Sequence, residues 1–245
     1  MRPILISLLV LLLSVPAAGA GDSERLLRLF GEYLDLAKDQ RWPTVKRRRR
    51  VVAEIATFSV DAVPTFLGEI YRKDQSQAVR VPAMLAAGRC AGLKELQSLL
   101  RTALADKNDV YVMLLPDALA EVRDDVKDEF GPWLAKKCLG STKPVVRAAV
   151  VRSLGHVGTK AASEKIAGLL AKKRDERLRY ECLIALARID RAAAVPLLTP
   201  FLSDRSPHLR EAAVTALALT GDAAATNLVL SRVKDPDPLV REAVA

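Results

Sequence analysis

The feature that most constrains the fold is a column of helix-start residues recurring every 31 to 35 positions: Thr44, Ser76, Asn108, Lys143, Asp175, Ser206 and Asp237. All but Lys143 are types whose side-chain oxygens accept from the orphan N–H groups of a first helical turn. Four residues after each comes a second column, Arg48, Arg80, Val112, Arg147, Arg179, Arg210 and Arg241. Self-similarity at this period marks stacked units that bury their apolar faces only against neighbours.

The unit is clearest toward the C-terminus, in KPVVRAAVVRSLG from Lys143, DERLRYECLIALA from Asp175, SPHLREAAVTALA from Ser206 and DPLVREAVA from Asp237. Counting from the arginine, positions three and four carry Val150/Val151, Cys182/Leu183 and Ala213/Val214. Position seven carries Leu154, Leu186 and Leu217. Apolar residues at i+3, i+4 and i+7 make one buried helical stripe. Pro144, Pro207 and Pro238 follow their caps at the first helical position, where a missing N–H costs nothing. A second apolar helix precedes each of these, in 61–74, 160–173 and 192–204. Gly155, Gly158 and Gly221 fall at junctions where a left-handed residue would end a helix. Hydrophobic residues make up 50% of the chain but aromatics only 4%, which suits closely approaching helices rich in Ala, Leu and Val. The expected fold is an all-α solenoid of about seven antiparallel helix pairs.

The pattern AVPLLTPFLSDRSPHLREAAVTALALTGD resembles a short HEAT repeat of the kind also found in phycobilin lyases. The resemblance covers residues 23–245 and is weakest around 109–138. It implies a HEAT-like superhelix, with an Asp closing each first helix and an Arg six residues on. Asp74 with Arg80, Asp204 with Arg210 and Asp235 with Arg241 keep that spacing. By resemblance they would form an Asp–Arg ladder between neighbouring repeats. Ser141 before Arg147, Lys173 before Arg179, Trp42 before Arg48 and Asp106 facing Val112 would break it.

Residues 1–20 read as a signal peptide: Arg2, an apolar run from Ile4 to Val15, Pro16, then small residues ahead of cleavage before Gly21. The run falls short of a bilayer span of about 20 residues. The expected mature chain, 21–245, is exported, periplasmic or secreted, with no transmembrane segment after signal removal. Its last repeat is incomplete, so a fragment, or a terminal face covered by another chain, is expected. The net charge of +9 becomes +8 without Arg2 (9 − 1). This excess permits acidic partners, an acidic polymer or an anionic surface, and the compartment disfavours nucleic acid.

The loudest local motif is Lys46-Arg47-Arg48-Arg49-Arg50. It reads as either an anion-binding patch or a solvated face. Successive helical residues point about 100° apart, so five in a row cannot form one stripe. Arg47 even occupies the column where later repeats carry Val146, Leu178, Leu209 and Val240. Trp133 reads as a core filler and Trp42 as a turn plug. Cys182 reads as a buried hydrophobe, and Cys90 and Cys138 belong to turns too far apart to bridge.

No catalytic constellation can be assembled, and no cofactor or metal is expected. His156 and His208 lack a second ligand at metal spacing. HEAT-like iron hydroxylases carry His-Glu pairs, and no His here precedes a Glu. The reading that results is a non-enzymatic scaffold, binding a protein partner outside the cytoplasm through the concave face. Arg49, Arg50, Arg152, Tyr180 and Glu211 are its candidate contact residues. A basic module for cell-wall polymer, lipid headgroup or nucleic acid is the alternative, and a lyase-like or other enzyme the second.

Overall fold

A computed structural model describes residues 20–59, 62–106, 108–172 and 175–245. The expected signal segment lies outside them apart from Ala20, which opens the first helix, and so does Lys173. Among the described residues every regular element is helical, and no helix is long and apolar enough to cross a membrane.

Seven pairs of helical segments follow one another. The first unit, ending at Val126, holds α1 (Ala20–Leu36) with α2 (Trp42–Ile55), and α3 (Ala62–Lys73) with α4 (Gln77–Cys90). Its third pair is α5 (Leu93–Ala105) with the two short helices α6 (Val110–Met113) and α7 (Leu115–Leu119). The second unit begins at Lys127, within α8 (Asp124–Cys138), which precedes α9 (Pro144–Val157). Then come α10 (Lys160–Leu170) with α11 (Glu176–Asp190), and a segment of 3-10 turns around α12 (Val195–Leu198) with α13 (Pro207–Leu219). The last pair is α14 (Ala223–Leu230) with α15 (Pro238–Val244). In each unit the second helices stack on one another: α2, α4 and α7 in the first, and α9, α11, α13 and α15 in the second. Their shared stripe is the core. Val150, Val151, Leu154, Cys182, Leu183, Leu186, Ala213, Val214 and Leu217 are all fully buried. The fold is an all-α solenoid.

Small residues let these rows close up. A methyl group on Gly88 of α4 would strike the carbonyl of Ala118 in α7. One on Gly131 of α8 would strike the carbonyl of Val157 at the end of α9. The junction glycines divide differently from expectation. Only Gly221 takes a positive φ, 69°. Gly158 ends α9 in extended backbone, and Gly155 lies within α9 against Ala185.

The helix-start column engages unevenly. Asp175, Ser206 and Asp237 accept from Leu178, Leu209 and Leu239 amides at 3.0, 3.4 and 2.9 Å. Ser76 begins α4 without a side-chain cap bond. Thr44 is no cap: α2 begins two residues earlier at Trp42, and the Thr44 hydroxyl donates instead to Asp39 Oδ2 at 2.8 Å.

Candidate interaction surface

The arginine column forms a ladder, with a different connectivity from the expected one. Four of its arginines hydrogen-bond forward to the aspartate of the next repeat. Arg48 donates to Asp74 at 2.8 Å, Arg80 to Asp106 at 2.5 Å, Arg179 to Asp204 at 3.3 Å, and Arg210 to both oxygens of Asp235 at 2.9 and 2.8 Å. The aspartate six residues before an arginine offers it only a backbone carbonyl: Asp204 O for Arg210 and Asp235 O for Arg241. Meanwhile Oδ1 of Asp74, Asp106, Asp204 and Asp235 accepts the amide two residues on, which turns the chain into the second helix. One carboxylate therefore makes its own turn and binds the preceding repeat.

Two expected breaks are thus no breaks, because Arg48 and Arg179 find their partners forward. The weak rung is Arg147, 3.9 Å from Asp175, with its Nη1 donating to Ser141 O at 3.1 Å. Arg210 bonds hold the Asp235 carboxyl below the usual range against the opposing effect of burial. At Asp106 burial pushes upward, but the Asn108 amide and Arg80 outweigh it and the net shift is downward. The ladder is structural: its groups are occupied with one another.

The five candidate contact residues divide between the units. Arg152, Tyr180 and Glu211 belong to α9, α11 and α13, the stacked second helices of the second unit. Tyr180 is half-buried, and its hydroxyl donates to Glu211 Oε1 at 3.3 Å. The Thr215 hydroxyl donates to the same oxygen at 3.1 Å. Burial, reinforced by Glu211, pushes the Tyr180 phenol up to about 12, so it remains a donor. Arg152 is exposed and acts electrostatically on both Tyr180 and Glu181. One turn further on, Arg188 lies 2.7 Å from His156 Nε2. The result is a polar row of alternating charge across three helices, with a tyrosine at its centre.

Glu181 belongs to this row and was missed by sequence reasoning. Burial raises its carboxyl pKa, and Arg152, Arg177 and Arg188 pull it back. A signal was present: its column carries Ala149 and Ala212 in the sibling repeats, so a carboxylate there is out of pattern.

Arg49 and Arg50 lie on α2 of the first unit. Of the basic run, Arg48 is fully buried, Arg47 bonds Glu32 at 2.7 Å, and Lys46, Arg49 and Arg50 are exposed. The solvated-face expectation therefore fails at Arg48. Trp42 is 61% exposed and plugs nothing, because it opens α2 instead of the preceding turn. Trp133 is half-buried and stacks on Phe130 with ring centroids 5.6 Å apart.

The three thiols are free, with Cys138 and Cys182 buried and Cys90 half-buried. Burial pushes Cys182 up to about 12 and raises the other two, so none is an activated nucleophile. Among the described residues no three of His, Cys, Asp and Glu come together as metal ligands. A concavity of about 480 Å³ beside the second rung is lined by Arg72, Arg80, Arg101, Thr102, Ala105 and Asp106. In it Arg80 is already bound to Asp106 and to Tyr71 O.

Residues 164–245 match the family model for HEAT repeats. That segment is built of HEAT repeats. No curated protein matches it. Among solved structures, the chain is similar to human deoxyhypusine hydroxylase in complex with glycerol. That pair is 17% identical, with 99% of this chain and 95% of that one covered and a TM-score of 0.38. An engineered protein is 16% identical over 88% of this chain and 66% of that one, with a TM-score of 0.43. A designed armadillo repeat protein in complex with a (KR)4 peptide is 14% identical over 88% and 96%, with a TM-score of 0.34.

Proposed function

We propose that this protein is a non-enzymatic scaffold that holds another protein chain outside the cytoplasm. The partner lies against the second-helix row of Arg152, Tyr180 and Glu211, on the side that HEAT-like geometry makes concave. The observation that carries this reading is the Tyr180–Glu211–Thr215 arrangement. A half-buried tyrosine with its hydroxyl oriented presents a rigid aromatic face at low entropic cost, and tyrosine and arginine are the types that anchor interfaces. Stacked repeats present such side chains along an extended surface suited to another polypeptide.

The test is photo-crosslinking from position 180 in cells producing the full chain, with position 164 on α10 as control. A discrete protein adduct from 180 alone supports the reading. No adduct, or the same adducts from both positions, ends it. Export is tested separately by fusing residues 1–30 to a reporter active only outside the cytoplasm.

A further inference from the structure

The inward turn of Arg48 leaves a surface on α2 that the scaffold reading does not use. With 3.6 residues per turn, Trp42, Lys46, Arg49, Arg50 and Ala53 fall within an arc of about 100° on the helix. All five are exposed, whereas Val45, Arg48, Val51, Val52 and Ile55 are buried on the other side. The basic run thus splits three ways: one cation inward, one sideways to Glu32, and three outward in line with a tryptophan.

Among the described residues, the nearby carboxylates are engaged elsewhere. Glu32 is held by Arg47, and Glu54 accepts from Arg25 at 3.1 and 2.5 Å. Among the described residues the ion pairs of α2 are Arg47–Glu32, Arg48–Asp74 and Arg25–Glu54, and none includes Lys46, Arg49 or Arg50. From Trp42 to Ala53 the stripe runs about 16 Å at 1.5 Å per residue.

We propose that this stripe docks the protein on an anionic phospholipid surface. Lys46, Arg49 and Arg50 would meet the headgroup phosphates, and the indole of Trp42 would lie at the headgroup level. Two features of the patch favour a bilayer over a soluble polyanion. The three charges share one exposed arc of α2 and can meet an anionic sheet together. An exposed indole at the end of that line matches the interface, where amphipathic rings reside, and gains nothing from a purely ionic ligand. The guanidinium forks of Arg49 and Arg50 suit bidentate phosphate contacts.

Each cation brought to such a surface gains about fivefold in binding, so the three together gain on the order of a hundredfold. The attraction weakens as salt shortens the screening length.

The experiment is co-sedimentation of the purified full chain with phosphatidylcholine vesicles, with and without phosphatidylglycerol, at low and high salt. Tryptophan emission is followed in a Trp133→Phe background so that Trp42 alone reports. If that variant folds poorly, the difference spectrum between wild type and Trp42→Phe gives the same reading. Binding only to phosphatidylglycerol vesicles, a blue shift of Trp42, and a loss of about 25-fold or more in Arg49→Glu/Arg50→Glu are expected. Circular dichroism should show the double variant folded, since both residues are exposed. Equal binding to both vesicle types, no vesicle binding, or an unaffected double variant would overturn the proposal. So would tight binding to heparin or polyglutamate combined with vesicle binding that leaves Trp42 emission unmoved.

Discussion

The same rung is built twice in this chain under different solvation. In the first unit the Arg48–Asp74 pair is fully buried on both sides. In the second, Arg210 and Asp235 keep 12% and 2% of their side-chain surface exposed, and Arg179 and Asp204 keep 14% and 22%. Burial changes what each rung requires. Asp74 accepts from Arg48, from the Tyr33 hydroxyl at 2.6 Å and from the Ser76 amide. Arg48 donates also to Gln40 and to the Ala37 carbonyl. Burial and the bond to Asp74 raise the Tyr33 pKa, which keeps that donor protonated. In the edge rung Asp235 accepts from the Asp237 amide and twice from Arg210, whose Nη1 also reaches the Asp204 and Arg205 carbonyls. A partner lost from the desolvated pair leaves a charge that water cannot reach, so that rung carries the larger penalty on truncation.

That contrast is most easily broken at Arg48. Replacing it with Ala leaves the Asp74 carboxylate buried and uncompensated, and should cost about 3–5 kcal/mol in urea unfolding. A loss no larger than that of Arg210→Ala would abolish the distinction between the rungs. Next come the close approaches that the units share. Gly88→Ala and Gly131→Ala each drive a methyl group into a backbone carbonyl, and each should lower stability by about 1–3 kcal/mol. Tolerance at one site but not the other would show that one unit can yield.

Arg210→Ala should cost about 1–2 kcal/mol, because its hydrogen bonds are charged but the arginine keeps 12% of its side-chain surface exposed. Binding per folded molecule should remain unchanged. Ser206→Ala should cost about 1 kcal/mol and Ser76→Ala less, since only Ser206 makes a side-chain cap bond. Equal losses would show that the starting bond does not set the value of a cap here.

Acid should weaken both units. Asp106 and Asp235 carry folded pKa values below their unfolded ones. Their contribution is complete above the unfolded carboxylate value near 4 and is lost as pH falls through the lower folded value. A thermal midpoint that rises on acidification below about pH 4 would contradict the assignment.

How much of this was legible beforehand varied by element. The apolar column at i+3, i+4 and i+7 was readable because helical period and burial act on the same residues. The ladder's residues were readable, but its connectivity was not. An aspartate six positions before an arginine and one about 25 positions after it are equally plausible on paper. Only the stacking offset between helices selects the second. The start of α2 was misplaced because Thr44 looks like a cap, whereas Asp39 takes its hydroxyl. Glu181 showed in sequence only as an odd residue in an alanine column.

Local periodicity therefore determined the helices, their pairing and the buried stripe, since each follows from residues within about one turn of one another. Tertiary structure alone decided how deeply Arg48 of the five-residue basic run is buried, which aspartate each ladder arginine meets, and that Trp42 shares an exposed face with three cations. Those outcomes depend on where a neighbouring helix lies, and one helical step moves a side chain by about 100°.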